Sequence, residues 1–237
     1  MRFAREITWF ATLALICRAS AADPARPPAP PAPPTQFEHD MLLRFHMHEN
    51  YDLARATERL LLRGKLDEAK ALAAGIASAP DEPGDPRWAT HALRVREAAA
   101  QFARAVSIPD ACRRDAALAT ACAGCHVELG VAPEFATHPA PPPDKPTVDA
   151  RMLRHQWAAA RLWEGIIGGA REPWSAGLEV LAAAPLPDDQ IARRQDLAQK
   201  LQRLADQARR GKAGPDEHTY GEILATCAAC HVAVARP

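Results

Sequence analysis

Apolar positions along the chain recur at helical spacing and are broken at Gly and Pro. From Gln36 to Arg63 the recurrence runs through Phe45, Leu53, Leu60 and Leu61 and stops at Gly64, which suits a C-cap. A second helix is expected over Leu66 to Ser78, ending before Pro80. Asp85 and Pro86 form an N-cap and first-turn pair that opens a third, reaching about Val106. Pro109 and Asp110 start a fourth. Short connections make successive helices antiparallel neighbours.

The second half repeats the scheme over Val148 to Gly168, around Trp174 to Ala183, over Asp188 to Arg210 and over Pro215 to Ala235. At a shift of 105 residues Met47 falls on Met152, Gly64 on Gly169, Ala71 on Ala176 and Pro80 on Pro185. Only the stretch before the last helix needs a one-residue slip. This is the signature of a tandem duplication, and the fold class it predicts is all-α, with two tandem four-helix bundles. Residues 36–136 and 148–237 are the two expected domains, and the proline-rich segment 137–147 is a stiff linker between them.

The first residues place Arg2 and Arg5 ahead of an apolar run from Ile7 to Cys17, followed by the small residues Ala19, Ser20 and Ala21. That is the layout of a secretory signal peptide over residues 1–21. The apolar run is too short to span a bilayer, and Ile16 is not the small residue that a lipoprotein reading of Cys17 needs. Residues 22–35 read as a Pro/Ala-rich tether. The expectation is a periplasmic or otherwise exported protein with no integral span once the signal is cleaved. Composition agrees with a globular helical chain, at 48% hydrophobic and only 5% aromatic. Basic and acidic residues balance at 29 each with no basic block, so no phosphate-binding face is expected and nucleic acid is excluded as a partner.

Export makes disulfides the default reading of cysteine pairs, but two pairs here are each followed by histidine. Cys122-Ala-Gly-Cys125-His126 and Cys227-Ala-Ala-Cys230-His231 occupy equivalent places, near the ends of the two fourth helices. This is the c-type haem attachment sequence. Two thiols three residues apart on a helical turn reach the two haem vinyl groups, and the next side chain reaches the iron as proximal ligand. A zinc site would need pairs at short separation and a thioredoxin-like pair would need a βαβ setting. Neither rival, nor a pair of local disulfides, explains both histidines. The cofactor expectation is two covalently attached haem c groups, with Cys122, Cys125, Cys227 and Cys230 as thioether donors and His126 and His231 on the iron.

With the motif late in the fourth helix and an "M-x-x-H-x-W" or "M-x-x-N-Y" phrase early in the first, the chain resembles the class II c-type cytochromes, the cytochrome c-prime type. The resemblance covers both halves. It implies a proximal histidine on the fourth helix of each bundle, a distal pocket formed partly by the first, and a protein that carries electrons or binds small gases. Met47 and Met152 share register and are candidate sixth ligands; methionine on an apolar helix face is also ordinary core filler. His48 and His155 are alternatives, with His46 a weaker one. These histidines have no partner at the 105-residue shift, so bis-histidine ligation would make the two sites unlike. Cys112 lies nearly in phase with His126 and is expected to face the interior as a small hydrophobe.

The function expected is single-electron transfer between redox partner proteins, without enzymatic activity, since no catalytic constellation stands out. The alternative is a gas-binding or peroxidase-like haem protein with an open iron position.

Overall fold

The computed structural model describes residues 35–79, 86–131, 133, 135, 139–183, 195–211 and 214–235. The signal peptide, nearly all of the tether, the Asp85 cap, His138 and the first residues of the helix expected from Asp188 lie outside the described residues. Among those described there are eight helices and no strand: α1 (Gln36–Leu62), α2 (Leu66–Ala77), α3 (Pro86–Ala103), α4 (Ile108–Leu129), α5 (Val148–Gly168), α6 (Arg171–Ala183), α7 (Gln195–Gly211) and α8 (Glu217–Ala235). The all-α expectation holds. None of these helices is long and apolar enough to cross a membrane.

Helix ends follow capping chemistry more closely than periodicity indicates. Ser107 and Thr147 accept the amide hydrogens of Asp110 and Ala150 at 3.3 Å each, so α4 and α5 start at their N-caps. Asp216 does the same for Thr219 at 2.7 Å, which starts α8 two residues after Pro215. α3 stops at Ala103, three residues before the expected end, because Arg104 and Ala105 close tight i→i−3 turns and the Val106 amide donates to the Asp110 carboxylate. α6 begins at Arg171, three residues earlier than read from its apolar stripe. Gly64 and Gly169 end α1 and α5 in the left-handed region, at φ 74° and 64°, where a side chain is strained.

Within each half every helix lies against the next, and α1 also meets α4 and α5 meets α8. The halves also meet each other: α4 lies along α8, α4 on α5 and α1 on α8. Residues Gln36–Pro237 consequently make one compact unit. α4 and α8 cross at Ala116 and Gly221, which are themselves 105 residues apart; a Cβ on Gly221 would sit 3.1 Å from Arg113 Cα and 3.6 Å from Ala116 Cβ. Equivalent positions of the two halves thus meet each other at this crossing. The same relation appears at the helix ends, where a Cβ on Gly64 would lie 2.9 Å from Val232, and one on Gly169 would lie 2.7 Å from Val127.

The core is alanine-rich, with a few large side chains: Trp163, Trp174, Tyr220 and Phe102 are fully buried. Trp163 lies 6.3 Å from both Tyr51 and Tyr220, ring to ring. α5 approaches α6 so closely that a Cβ on Gly165 would stand 2.7 Å from Trp174 Cβ and 2.8 Å from its backbone. Gly165→Ala is therefore expected to destabilise the chain. Overpacking against a backbone costs about 1–3 kcal/mol, which exceeds the helix-propensity gain of about 1 kcal/mol. A lower urea midpoint than wild type checks it; an equal or higher midpoint would show that α6 yields.

Candidate functional site

Each cysteine motif occupies the last turns of a helix on the seam between the halves. α4 ends at Gly130, whose left-handed conformation lets the Val131 amide bond back to the His126 carbonyl at 2.9 Å. The helix therefore stays regular through Cys122, Cys125 and His126, and both thiols and the imidazole project from one turn and a half. All four motif cysteines are partly exposed. No disulfide joins any of the five cysteines among the described residues.

His126 is half-buried, and its Nδ1 lies 3.0 Å from the carbonyl oxygen of Ile167 at the end of α5. A carbonyl only accepts, so Nδ1 carries the hydrogen and Nε2 keeps a free lone pair. Burial pulls this imidazole below its ordinary pKa, against the opposing pull of the Ile167 bond, which favours the neutral ligand form. His231 is exposed at the equivalent place on α8. The Cys122 and Cys227 thiols are pushed up to about 12, first by burial and then by the neighbouring motif cysteine. They stay protonated, which disfavours metal binding through thiolate. Among the described residues no three His, Cys, Asp or Glu side chains converge as a metal site.

Helix register decides which residues of α1 and α5 can face the motifs. α3 runs antiparallel to α4, since Arg94 pairs with Glu128 and Arg114 with the Gln101 carbonyl. With each helix reversing the one before, α1 is antiparallel to α4 and α5 to α8. Thr57 Oγ1 meets Asp115 Oδ1 at 2.7 Å, and Trp163 meets Tyr220. Stepping back ten residues from Thr57 and forward eleven from Asp115 brings Met47 to the height of His126. Eleven residues back from Trp163 and eleven forward from Tyr220 bring Met152 to the height of His231. Met47 is 38% exposed and Met152 partly buried, so neither is fully enclosed as core filler. His48 is exposed, His155 lies partly buried one turn from Met152, and His46 Nε2 is 2.8 Å from Asn50 Nδ2.

The donor set fits a haem c group at each motif. Besides the two thiols and the free Nε2 of His126, large apolar side chains stand exposed at these heights. They are Phe45 and Met47 on α1, Leu93 on α3 beside the residues that meet Glu128, and Leu153 on α5. An apolar macrocycle held on the cysteines would cover surface of this kind.

Three features carried no signal in the sequence. His91, on α3, is 4% exposed, with Nε2 3.7 Å from Glu128 Oε2, two residues beyond His126. Cys112 is buried as expected, between α4 and α8, where burial and then the nearby Asp115 and Cys227 push its thiol up. The third is a buried polar cluster at the seam. Glu58 and Asp115 are both almost wholly enclosed. Glu58 pairs with Arg55 and accepts from Tyr220 Oη at 3.1 Å. The guanidinium of Arg55 lies over the Trp163 ring. Asp115 is pushed up to about 8, first by burial, with the Glu58 charge adding to it and the Thr57 bond and Arg55 opposing. A polar residue at a core position of α1 or α4 was the only hint available.

The chain has no match among protein-family models, curated proteins or solved structures.

Proposed function

We propose that this chain is an exported dihaem c-type cytochrome of class II type, two tandem four-helix bundles each holding one covalent haem c, which passes single electrons between redox partner proteins and has no enzymatic activity of its own. The observation that carries the reading is the C-x-x-C-H motif repeated at equivalent ends of α4 and α8, with His126 held in the tautomer that leaves Nε2 free. When bound, the haem iron supplies one-electron chemistry. The chain's own residues do the rest. Cys122 and Cys125, and Cys227 and Cys230, tether the group; His126 and His231 ligate from the proximal side; the Ile167 carbonyl orients the His126 ring and raises its basicity. Met47 and Met152 share the height of the proximal histidines and are the preferred sixth ligands, ahead of His48 and His155. The signal peptide and tether at residues 1–35 fit export to an oxidising compartment, where haem attachment of this type is completed.

The test is the optical spectrum of the protein made with haem-maturation machinery, reduced, before and after carbon monoxide, with haem counted per chain. Two low-spin haems indifferent to carbon monoxide are expected. Met47→Ala combined with Met152→Ala is expected to turn both high-spin and carbon monoxide-sensitive. A wild-type spectrum that already shifts with carbon monoxide would favour the gas-binding or peroxidase-like alternative, and absence of covalent haem would overturn the reading altogether.

A further inference from the structure

The seam between the two motifs encloses a carboxyl group that shares one hydroxyl hydrogen with a backbone carbonyl. Thr57 Oγ1 lies 2.7 Å from the Ala54 carbonyl oxygen and 2.7 Å from Asp115 Oδ1. A hydroxyl has one hydrogen to give, and the carbonyl has none. That one hydrogen cannot serve both contacts: given to Asp115 it leaves the Ala54 contact without one, and given to Ala54 it leaves the Asp115 contact to be bridged by a carboxyl hydrogen. Asp115 is fully enclosed, and its other oxygen, Oδ2, has no hydrogen-bond partner. The Thr57 bond and the Arg55 charge only partly offset what burial costs a negative charge there.

This group sits between the haem-attachment cysteines of the two halves. Cys112, Asp115, Ala119 and Cys122 form one stripe of α4, so Asp115 and Cys122 are two turns apart, on the order of 10 Å along the axis. Across the seam Cys112 neighbours Cys227. The ionisable groups facing Asp115 are Glu58 and Arg55 from α1, Tyr220 and Cys227 from α8, and Cys112 and Cys122 from α4 itself; α5 presents the Trp163 indole. Arg55 is the member that reaches solvent, at 18% exposure of its side chain.

We propose that Asp115 is a redox-linked proton site, which takes up one proton from solvent when the haem next to it is reduced and releases it on oxidation. The inference rests on the dihaem reading above. An external one-electron donor supplies the electron, which takes iron from ferric to ferrous; the solvent proton forms the O–H bond of the Asp115 carboxyl; no other bond forms or breaks. Iron on His126 would lie eleven residues along α4 from Asp115, about 16 Å, and one unit of charge at that separation in an effective dielectric of about 20 changes proton affinity roughly fivefold. Burial sets Asp115 high enough, at about 8, for that change to fall within the physiological range. Burial pushes the neighbouring Glu58 carboxyl up as well, but Arg55 and the Tyr220 hydroxyl bond to it directly and oppose that rise, whereas Asp115 has an oxygen with no partner.

The experiment is a spectroelectrochemical titration of the full haem-loaded chain from pH 5 to 10, with a reduced-minus-oxidised infrared difference spectrum of the same samples. One haem is expected to show a midpoint that falls with pH between two plateaus by about the equivalent of a fivefold change, roughly 40 mV. A carboxyl C=O band should gain on reduction. Asp115→Asn should remove both the fall and the band, while Glu58→Gln moves the window without removing it. A fall that persists in Asp115→Asn overturns the assignment and points to another group. Should that variant not accumulate, wild type lacking a carboxyl difference band overturns it equally. Two covalent haems with pH-independent midpoints sink this inference alone; a chain without covalent haem sinks the dihaem reading with it.

Discussion

If the chain is the dihaem cytochrome proposed, serine in place of both Cys122 and Cys125 is expected to lower covalently held haem from two per chain to one. The thioether sulfurs are the only covalent link each motif offers, and a serine hydroxyl does not replace them. The intact mass of the denatured protein should drop by one haem, beyond the small change from sulfur to oxygen. Serine at Cys227 and Cys230 should give the same loss from the other end, and all four together should leave the bare chain. Because the motif residues are partly exposed and the turns around them are capped at Gly130, helix content should change little, which circular dichroism would check. Two haems retained in either double variant would sink the assignment of that motif.

Asparagine at Asp115 makes the chain more stable, by an amount that grows with pH. The folded pKa of this acid is raised, from the ordinary 3.8 to about 8. Between those values the folded chain keeps a proton that the unfolded chain releases, so wild-type stability falls as pH rises from about 4 and levels off above about 8. Each pH unit in that window is worth about 1.4 kcal/mol for one proton, so the cost at pH 7 is on the order of 4 kcal/mol. The neutral amide does not incur it and can still donate to Thr57. Urea unfolding at pH 4, 7 and 9 should show the two proteins equal at the lowest value and the variant ahead at the higher two. Parallel curves would mean that Asp115 ionises normally in the folded chain.

The repeated halves explain why much of the architecture was legible. Apolar recurrence, Gly64 and Gly169, and the prolines near helix starts are local signals, set within a turn or two of the chain, and they placed most helix bodies within a few residues. Where boundaries moved, side-chain caps decided: Ser107 and Asp216 hold amide groups that hydropathy does not register. The motifs were legible for the same reason, since Cys, Cys and His on one turn need no distant partner.

The order of residues also determined the shared register of Met47 and Met152 and the even balance of charge. It did not determine that α4 would lie along α8, with Ala116 against Gly221 at the crossing. Alanine-rich faces are alike on every helix of this chain, so which two meet depends on summed contacts over both halves rather than on any local pattern. That one choice sets the rest. It brings the Ile167 carbonyl of one half to the His126 of the other, closes Cys112 against Cys227, and encloses Glu58, Asp115 and Tyr220 where polar side chains would otherwise have faced water. Helices and attachment chemistry came from neighbours in sequence. The seam, and the carboxyl groups enclosed in it, came from residues as far apart as Glu58 and Tyr220, whose proximity only the packed fold could decide.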